Sequence, residues 1–284
     1  MTANLRRNAP ADDASRLRDL YLTILKRAVM HTLYTPLDSR SINDYLDPED
    51  VRQSVLGQIA RGELDLNDQE SLRRQREMGR DWPQFGQTMV GLDRLDNIQQ
   101  CYERILDDGI AGDLIEAGVW RGGVAIFMRG LLEAYGDRDR VVYAADSFQG
   151  LPSPNADEYP ADEGDRFHTL DALAVSRDEV ANNFSLYGLL DERVQFLEGW
   201  FKDTLPTVHD RTWSIIRLDG DMYESTMDVL THLYPQLSVG GFLIVDDFAL
   251  APCKQAIEDF RAAHGIAEPI EEVDWTGVFW RRTR

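Results

Sequence analysis

Three apolar runs in this chain end on acids, and that repeated pattern limits the fold more than any other feature. Asp146 closes Val141-Val-Tyr-Ala-Ala-Asp-Ser-Phe, and Asp219 with Asp221 closes Trp213-Ser-Ile-Ile-Arg-Leu-Asp-Gly-Asp. Asp246 and Asp247 close Gly240-Gly-Phe-Leu-Ile-Val-Asp-Asp-Phe. A parallel strand buried on both faces reads as a short apolar run, so a carboxylate where the run stops lies at the strand's carboxyl end. Ligands of open α/β sheets bind along that edge. Carboxylates gathered there repel one another unless a cation or a cationic ligand holds them. The pattern points to a divalent metal beside a charged, ribose-bearing cofactor.

Around these runs the chain alternates. Strands are expected over 113–118, 141–147, 193–198, 213–219 and 241–246, with helices over 122–136, 176–187, 201–205, 224–237 and 253–264. Such alternation implies a mainly parallel sheet with right-handed crossovers. Two short strands near 269–274 and 277–282 would close it with an antiparallel edge. Upstream, Leu17, Leu20, Ile24, Leu25, Ala28 and Val29 follow helical spacing, and further helical patterns fall at about 48–61, 67–79 and 88–108. These precede the first core strand. Residues 1–110 therefore read as a helical cap or oligomerisation segment, making a homo-oligomer the expectation, and residues 111–284 as a Rossmann-like core. The loop over 149–171 is long, Pro-rich and acidic, a type that is usually functional or mobile.

Composition narrows the partners. The 284 residues carry a formal charge of −20, which argues against nucleic acid or an anionic membrane, since both call for basic patches. No apolar run approaches the ~18–20 residues of a membrane span. The amino terminus lacks the apolar stretch of a secretory signal, so a cytoplasmic protein is expected. Cys101 and Cys253 have no metal-ligand spacing and read as reduced thiols.

Leu114-Ile-Glu-Ala-Gly-Val-Trp-Arg-Gly-Gly-Val turns from strand into helix with glycines at 118, 122 and 123. Glycine lets the backbone approach a ligand, and the helix start offers unpaired N–H groups. The spacing is not Gly-x-Gly-x-x-Gly, which disfavours nicotinamide and flavin. Glu116 at the strand tip would repel a pyrophosphate and suits an ammonium or sulfonium. Asp146 occupies the place where an acid accepts ribose hydroxyls. Together these features describe an S-adenosylmethionine site.

Five motifs in order then resemble the macrocin O-methyltransferase family, which includes mycinamicin and novobiocin deoxysugar methyltransferases. They are Glu116-Ala-Gly-Val-Trp-Arg-Gly-Gly, Ala145-Asp-Ser-Phe-Gln-Gly-Leu-Pro, Gly199-Trp-Phe-Lys-Asp-Thr, Leu218-Asp-Gly-Asp-Met-Tyr and Val245-Asp-Asp-Phe. Asp81-Trp-Pro-Gln-Phe-Gly-Gln-Thr-Met-Val-Gly also fits the family's segment before the first core strand. The resemblance covers the chain from about Leu20, although the stretch between Thr35 and Gln69 is longer than the family pattern. It implies a class I S-adenosylmethionine-dependent methyltransferase with an N-terminal helical cap, Mg²⁺, and a sugar hydroxyl of a small-molecule glycoside in antibiotic biosynthesis as acceptor. It assigns Asp219, Asp246 and Asp247 to the metal and Asp221 to general base. It gives the cofactor Glu116, Gly118, Trp120, Gly122, Gly123, Asp146 and Ser147. Gly199, Trp200 and Phe201 form the adenine wall, with Thr88 and Met89 closing over the cofactor.

Rival readings are a metal-independent O-methyltransferase of a phenolic small molecule with a histidine base, and a non-catalytic cofactor-binding scaffold. A nucleotide-sugar oxidoreductase is disfavoured by the missing glycine spacing. Of the histidines, only His168 falls in the long loop, where it could touch substrate; the others sit in helix or loop contexts that read as structural or exposed.

Overall fold

A computed structural model describes residues 13–33, Leu37 and 69–284. The expected helical pattern at 48–61 lies outside these residues, as does most of the lengthened stretch between Thr35 and Gln69. Seven strands form one sheet in the order β3-β2-β1-β4-β5-β7-β6. They are β1 (Asp113–Ala117), β2 (Val142–Asp146), β3 (Val194–Glu198), β4 (Trp213–Leu218), β5 (Leu237–Val245), β6 (Glu271–Glu272) and β7 (Val278–Arg281). The first five pair in parallel, whereas β7 runs antiparallel to both β5 and β6. This is a doubly wound, mainly parallel sheet with the expected closing hairpin, the architecture that the resemblance implies.

The crossover helices are α4 (Gly123–Ala134), α5 (Arg177–Leu186), α6 (Phe201–Thr204), α7 (Tyr223–Leu233) and α8 (Ala251–His264). Before them come α1 (Asp13–Val29), α2 (Gln69–Glu77) and α3 (Leu92–Asp107). Local signals explain several ends. Ser176 caps α5 by accepting the Glu179 N–H, a Ser-x-x-Glu capping pattern. Helix α8 starts with a proline in its first turn and stops at Gly265 in the left-handed conformation.

Alternate residues of the central strands feed two cores. Leu114, Val142, Ala144, Ile215 and Phe242 pack against α1, α3, α4 and α5. Ile115, Tyr143, Ile216, Leu218 and Leu243 face α7 and α8. Period-two alternation of apolar residues toward both faces is why these strands read as continuous apolar runs. Leu22, Leu25 and Val29 of α1 and Leu95, Ile98 and Ile105 of α3 belong to the first core, so the described upstream helices share the sheet's own packing. No helix among the described residues is long and apolar enough to cross a membrane.

Register places the functional edge. Ala117 pairs with Ala145 and Leu218, and Leu218 pairs with Val245, so β2, β1, β4 and β5 end side by side. Asp146, Asp219 and Asp246 stand at or just beyond those ends. Gly118 makes the tight exit from β1, at φ +92°, and a Cβ there would lie 1.7 Å from the Asp219 carbonyl oxygen. Gly118→Ala is therefore expected to destabilise the fold by about 2–4 kcal/mol, combining left-handed strain with overpacking. Urea unfolding measures it, and a loss below about 1 kcal/mol would show that the two strand ends can move apart.

Candidate active site

The glycine turn and Asp146 build one wall. Asp146 Oδ2 accepts the N–H groups of Val119 at 2.7 Å and Trp120 at 3.3 Å, while Oδ1 accepts Phe148 N–H at 2.8 Å. Burial raises its pKa and these backbone donors work against the rise. The acid expected to meet ribose is thus already fastening the turn of β1 to that of β2, although it still lines the cavity beside them. Trp120 takes φ +46° and Gly122 φ +87°, giving α4 its left-handed entry. Ser147 donates to Gly150 O at 2.6 Å and so shapes the start of the long loop.

The acids beyond β4 and β5 separate into two groups. Oxygens of Asp219, Asp221 and Asp247 all lie within 4.8 Å of one another. Asp221 has φ +56°, and the Met222 N–H closes onto Gly220 O at 2.5 Å, a γ-type turn of a rare and strained kind. Its N–H also donates to Asp247 Oδ2 at 3.1 Å. Burial, followed by repulsion from Asp219, Asp246 and Asp165, pushes the Asp221 carboxyl up to about 8. Burial and then Asp221 drive Asp247 well upward, and burial with Asp246 raises Asp219.

Asp246 departs from expectation. Its Oδ2 accepts from Arg94 and its Oδ1 from Arg217, both at 2.5 Å, and it is almost fully buried. Burial opposes its charge, yet the two guanidiniums outweigh that and hold it below the usual value. Asp221, rather than Asp246, joins Asp219 and Asp247 in the cluster. Arg217 also donates to Glu116 Oε1 at 2.6 Å and to Asp219 at 2.8 Å. Glu116, expected near a cationic cofactor, is a buried partner of this arginine and also borders the second cavity described below; burial pushes its carboxyl up to about 8. Arg94 continues to Asp274 at 2.8 Å, tying α3 to the closing hairpin.

Two cavities meet over the cluster. The larger, about 310 Å³, is lined by Gly118, Asp146, Ser147, Trp200, Phe201 and Glu224 among others. The second, about 230 Å³, has Trp82, Thr88, Phe167, Trp275, Asp246 and Asp247 in its walls. Met89, Trp120, Leu173, Asp219 and Asp221 border both. Gly199, at φ +142°, shapes the backbone before Trp200 and does not line either cavity, and neither does Gly122 or Gly123. His168 is exposed and borders neither, while its neighbour Phe167 does.

Two cavities sharing an acidic floor suit group transfer between two small molecules. The family model described as Macrocin-O-methyltransferase (TylF) matches residues 18–282. The chain belongs to the macrocin O-methyltransferase family. One relative, 46% identical over 94% of this chain and 94% of its own, is the 8-demethyl-8-(2,3-dimethoxy-alpha-L-rhamnosyl)-tetracenomycin-C 4'-O-methyltransferase of Streptomyces olivaceus. The demethyldecarbamoylnovobiocin O-methyltransferase of Streptomyces niveus is 52% identical over 74% of this chain and 80% of its own. Among solved structures, the O-methyltransferase NovP superposes with TM-score 0.78 at 44% identity, covering 94% of this chain and all of NovP. This member of the macrocin family is an S-adenosylmethionine-dependent O-methyltransferase.

Two participants escaped the sequence reading. They are Arg94 and Arg217. Arg217 is a single basic residue inside an apolar strand, and the signal was there: an arginine within a buried strand needs acids nearby; Arg94, in a polar helical stretch, gave no such signal. Arg217→Met is expected to cost about 3–5 kcal/mol near neutral pH, because clustered carboxylates lose their shared counter-ion. The loss should shrink in acid, where those carboxylates protonate. Equal destabilisation at pH 7 and pH 4 in urea titrations would contradict the charge account.

Proposed function

We propose that this enzyme methylates a sugar hydroxyl of a glycosylated natural product, with Mg²⁺ at the acid cluster. The convergence of Asp219, Asp221 and Asp247 where the two cavities meet carries this reading. Buried acids that raise one another's pKa form a site whose repulsion a divalent cation relieves, and oxygen donors suit Mg²⁺. Indole rings at the acceptor side, Trp82, Trp120 and Trp275, add apolar faces against which a pyranose ring can lie. The relatives' own acceptors, a rhamnosyl tetracenomycin and a novobiocin precursor, support a glycoside.

The larger cavity is assigned to S-adenosylmethionine, with Gly118, Trp120, Asp146 and Ser147 on one side and Trp200 and Phe201 on the other. Gly122, Gly123 and Gly199 act on it through the shape of the surrounding backbone, Glu116 borders the adjoining cavity, and Thr88 and Met89 close the acceptor side. When bound, the cofactor supplies an electrophilic methyl and Mg²⁺ a Lewis acid. Asp219 and Asp247 would hold the metal. Asp221, which is protonated in the metal-free site and ionised once a cation relieves the repulsion, would take the hydroxyl proton. The resemblance makes Asp246 a third ligand, although its two oxygens already accept from Arg94 and Arg217. Asp246→Asn tests that point, since a raised Mg²⁺ requirement would put Asp246 on the metal.

Leu17, Leu20 and Ile24 leave an apolar stripe on the outside of α1, which supports self-association through the segment assigned as residues 1–110. Light scattering that reads a monomer would remove that part.

The direct experiment incubates the enzyme with S-adenosylmethionine and a panel of demethylated glycosides, reading methyl gain by mass spectrometry. Chelation should abolish turnover and Mg²⁺ restore it. Asp221→Asn is expected to lower turnover by roughly 10²–10⁴-fold with cofactor affinity little changed, and higher pH should recover part of the loss. Full activity after rigorous chelation, or wild-type turnover in Asp221→Asn, would sink the assignments.

A further inference from the structure

The long acidic loop between β2 and α5 is fastened by one residue that none of the site assignments uses. Asp162 is fully buried, at 0% exposure. Its Oδ1 accepts the Tyr223 N–H at 2.6 Å and its Oδ2 the Glu224 N–H at 3.0 Å, the first two donors of α7. Helix α7 has no side-chain cap of its own, since Met222 stands at its N-cap position. A carboxylate from more than 60 residues upstream thus does the capping, where the helix dipole favours negative charge. The rings of Tyr159 and Tyr223, 6.1 Å apart, add packing beside it.

Both partners of this contact matter to the cavities. On the loop side, Gly150, Leu151, Pro152, Ser153 and Leu173 roof the cofactor cavity, and Phe167 and Leu173 face the acceptor side. On the helix side, Tyr223 follows Gly220-Asp221-Met222 directly, and Glu224, Ser225 and Asp228 line the cofactor cavity. A second tether, Trp120 Nε1–H to Ala172 O at 2.8 Å, joins the far end of the loop to the glycine turn. The roof is thereby linked at once to the acid turn and to the cofactor turn.

We propose that Asp162 is a positioning residue for cofactor binding: by capping α7 from the loop, it makes seating the roof and setting the Gly220–Met222 turn one event. This rests on assigning the larger cavity to S-adenosylmethionine, and on neither the acceptor nor the metal.

The test uses the full chain and S-adenosylhomocysteine as probe, with calorimetry for affinity and hydrogen exchange for local order. Asp162→Ala should weaken binding about tenfold, the scale of lost hydrogen bonds to a charged group. Exchange should quicken together in 149–175 and 220–226 and stay unchanged in the strands 113–117 and 213–218. Asp162→Asn retains one accepting oxygen and should recover part of the affinity; it also serves if the alanine variant fails to fold. Unchanged affinity in a folded variant, or a loop that loosens without 220–226, would overturn the proposal while leaving the cavity assignment intact. Wild-type chain that binds the probe without slowing exchange in 118–123 would overturn the cavity assignment, and the proposal with it.

Discussion

Arg217 holds the carboxyl edge of the sheet together. Its guanidinium, buried at the end of β4, reaches Glu116 of β1, Asp219 beyond its own strand and Asp246 beyond β5. The strands could not end side by side with three uncompensated acids between them, since a buried carboxylate without a partner costs several kcal/mol. Arg94 adds a second cation from α3 and extends the network to Asp274 in the closing hairpin. Buried ion pairs of this kind are weak sources of net stability, but breaking one is expensive. The effect is to fix where the remaining acids point.

Which donors reach an acid decides its task. Asp146 and Asp162 both accept pairs of backbone N–H groups, one at the glycine turn and one at the start of α7. They shape backbone. Asp246 accepts guanidinium and is held ionised. Asp221 and Asp247 meet mainly each other and Asp219, and burial with mutual repulsion drives them up. One carboxylate chemistry thus serves as clamp, counter-ion and mutually repelling cluster within a single sheet edge, and the left-handed turn at Asp221 lies at the border of both cavities.

The strands, their parallel order and the acid-bearing tips were legible because period-two burial on both faces and acids at strand ends are local signals. Strand β5 was the exception at its start. Its first residues include Gly240 and Gly241, which lower strand propensity, yet pairing with β4 extends it back to Leu237. The division between Asp246 and Asp247 was not legible. Adjacent residues at a strand end send their side chains to opposite sides, and which side holds the arginines depends on Arg94, far upstream. The pairing of Glu116 with Arg217 was hidden for the same reason, since the two are neighbours only across the sheet. Asp162 looked like one more acid in an acidic loop, because long-range capping leaves no local trace. His168 drew attention by its place in the long loop, and its side chain is exposed.

The cation site proposed at the acid cluster would be held under repulsion until the metal binds. Because Asp221 titrates near 8 rather than near its ordinary value, the folded metal-free protein keeps a proton that the unfolded chain releases. Stability from this group is therefore full below about pH 4 and is lost as pH rises toward about 8. A divalent cation must displace that proton, so it binds better as pH rises. Thermal unfolding with and without Mg²⁺ at pH 6 and pH 8 measures both effects. A Mg²⁺-induced rise in Tm that is larger at pH 8, and absent in Asp219→Asn, is the predicted result; no shift at either pH, or the same shift in the variant, would contradict the account.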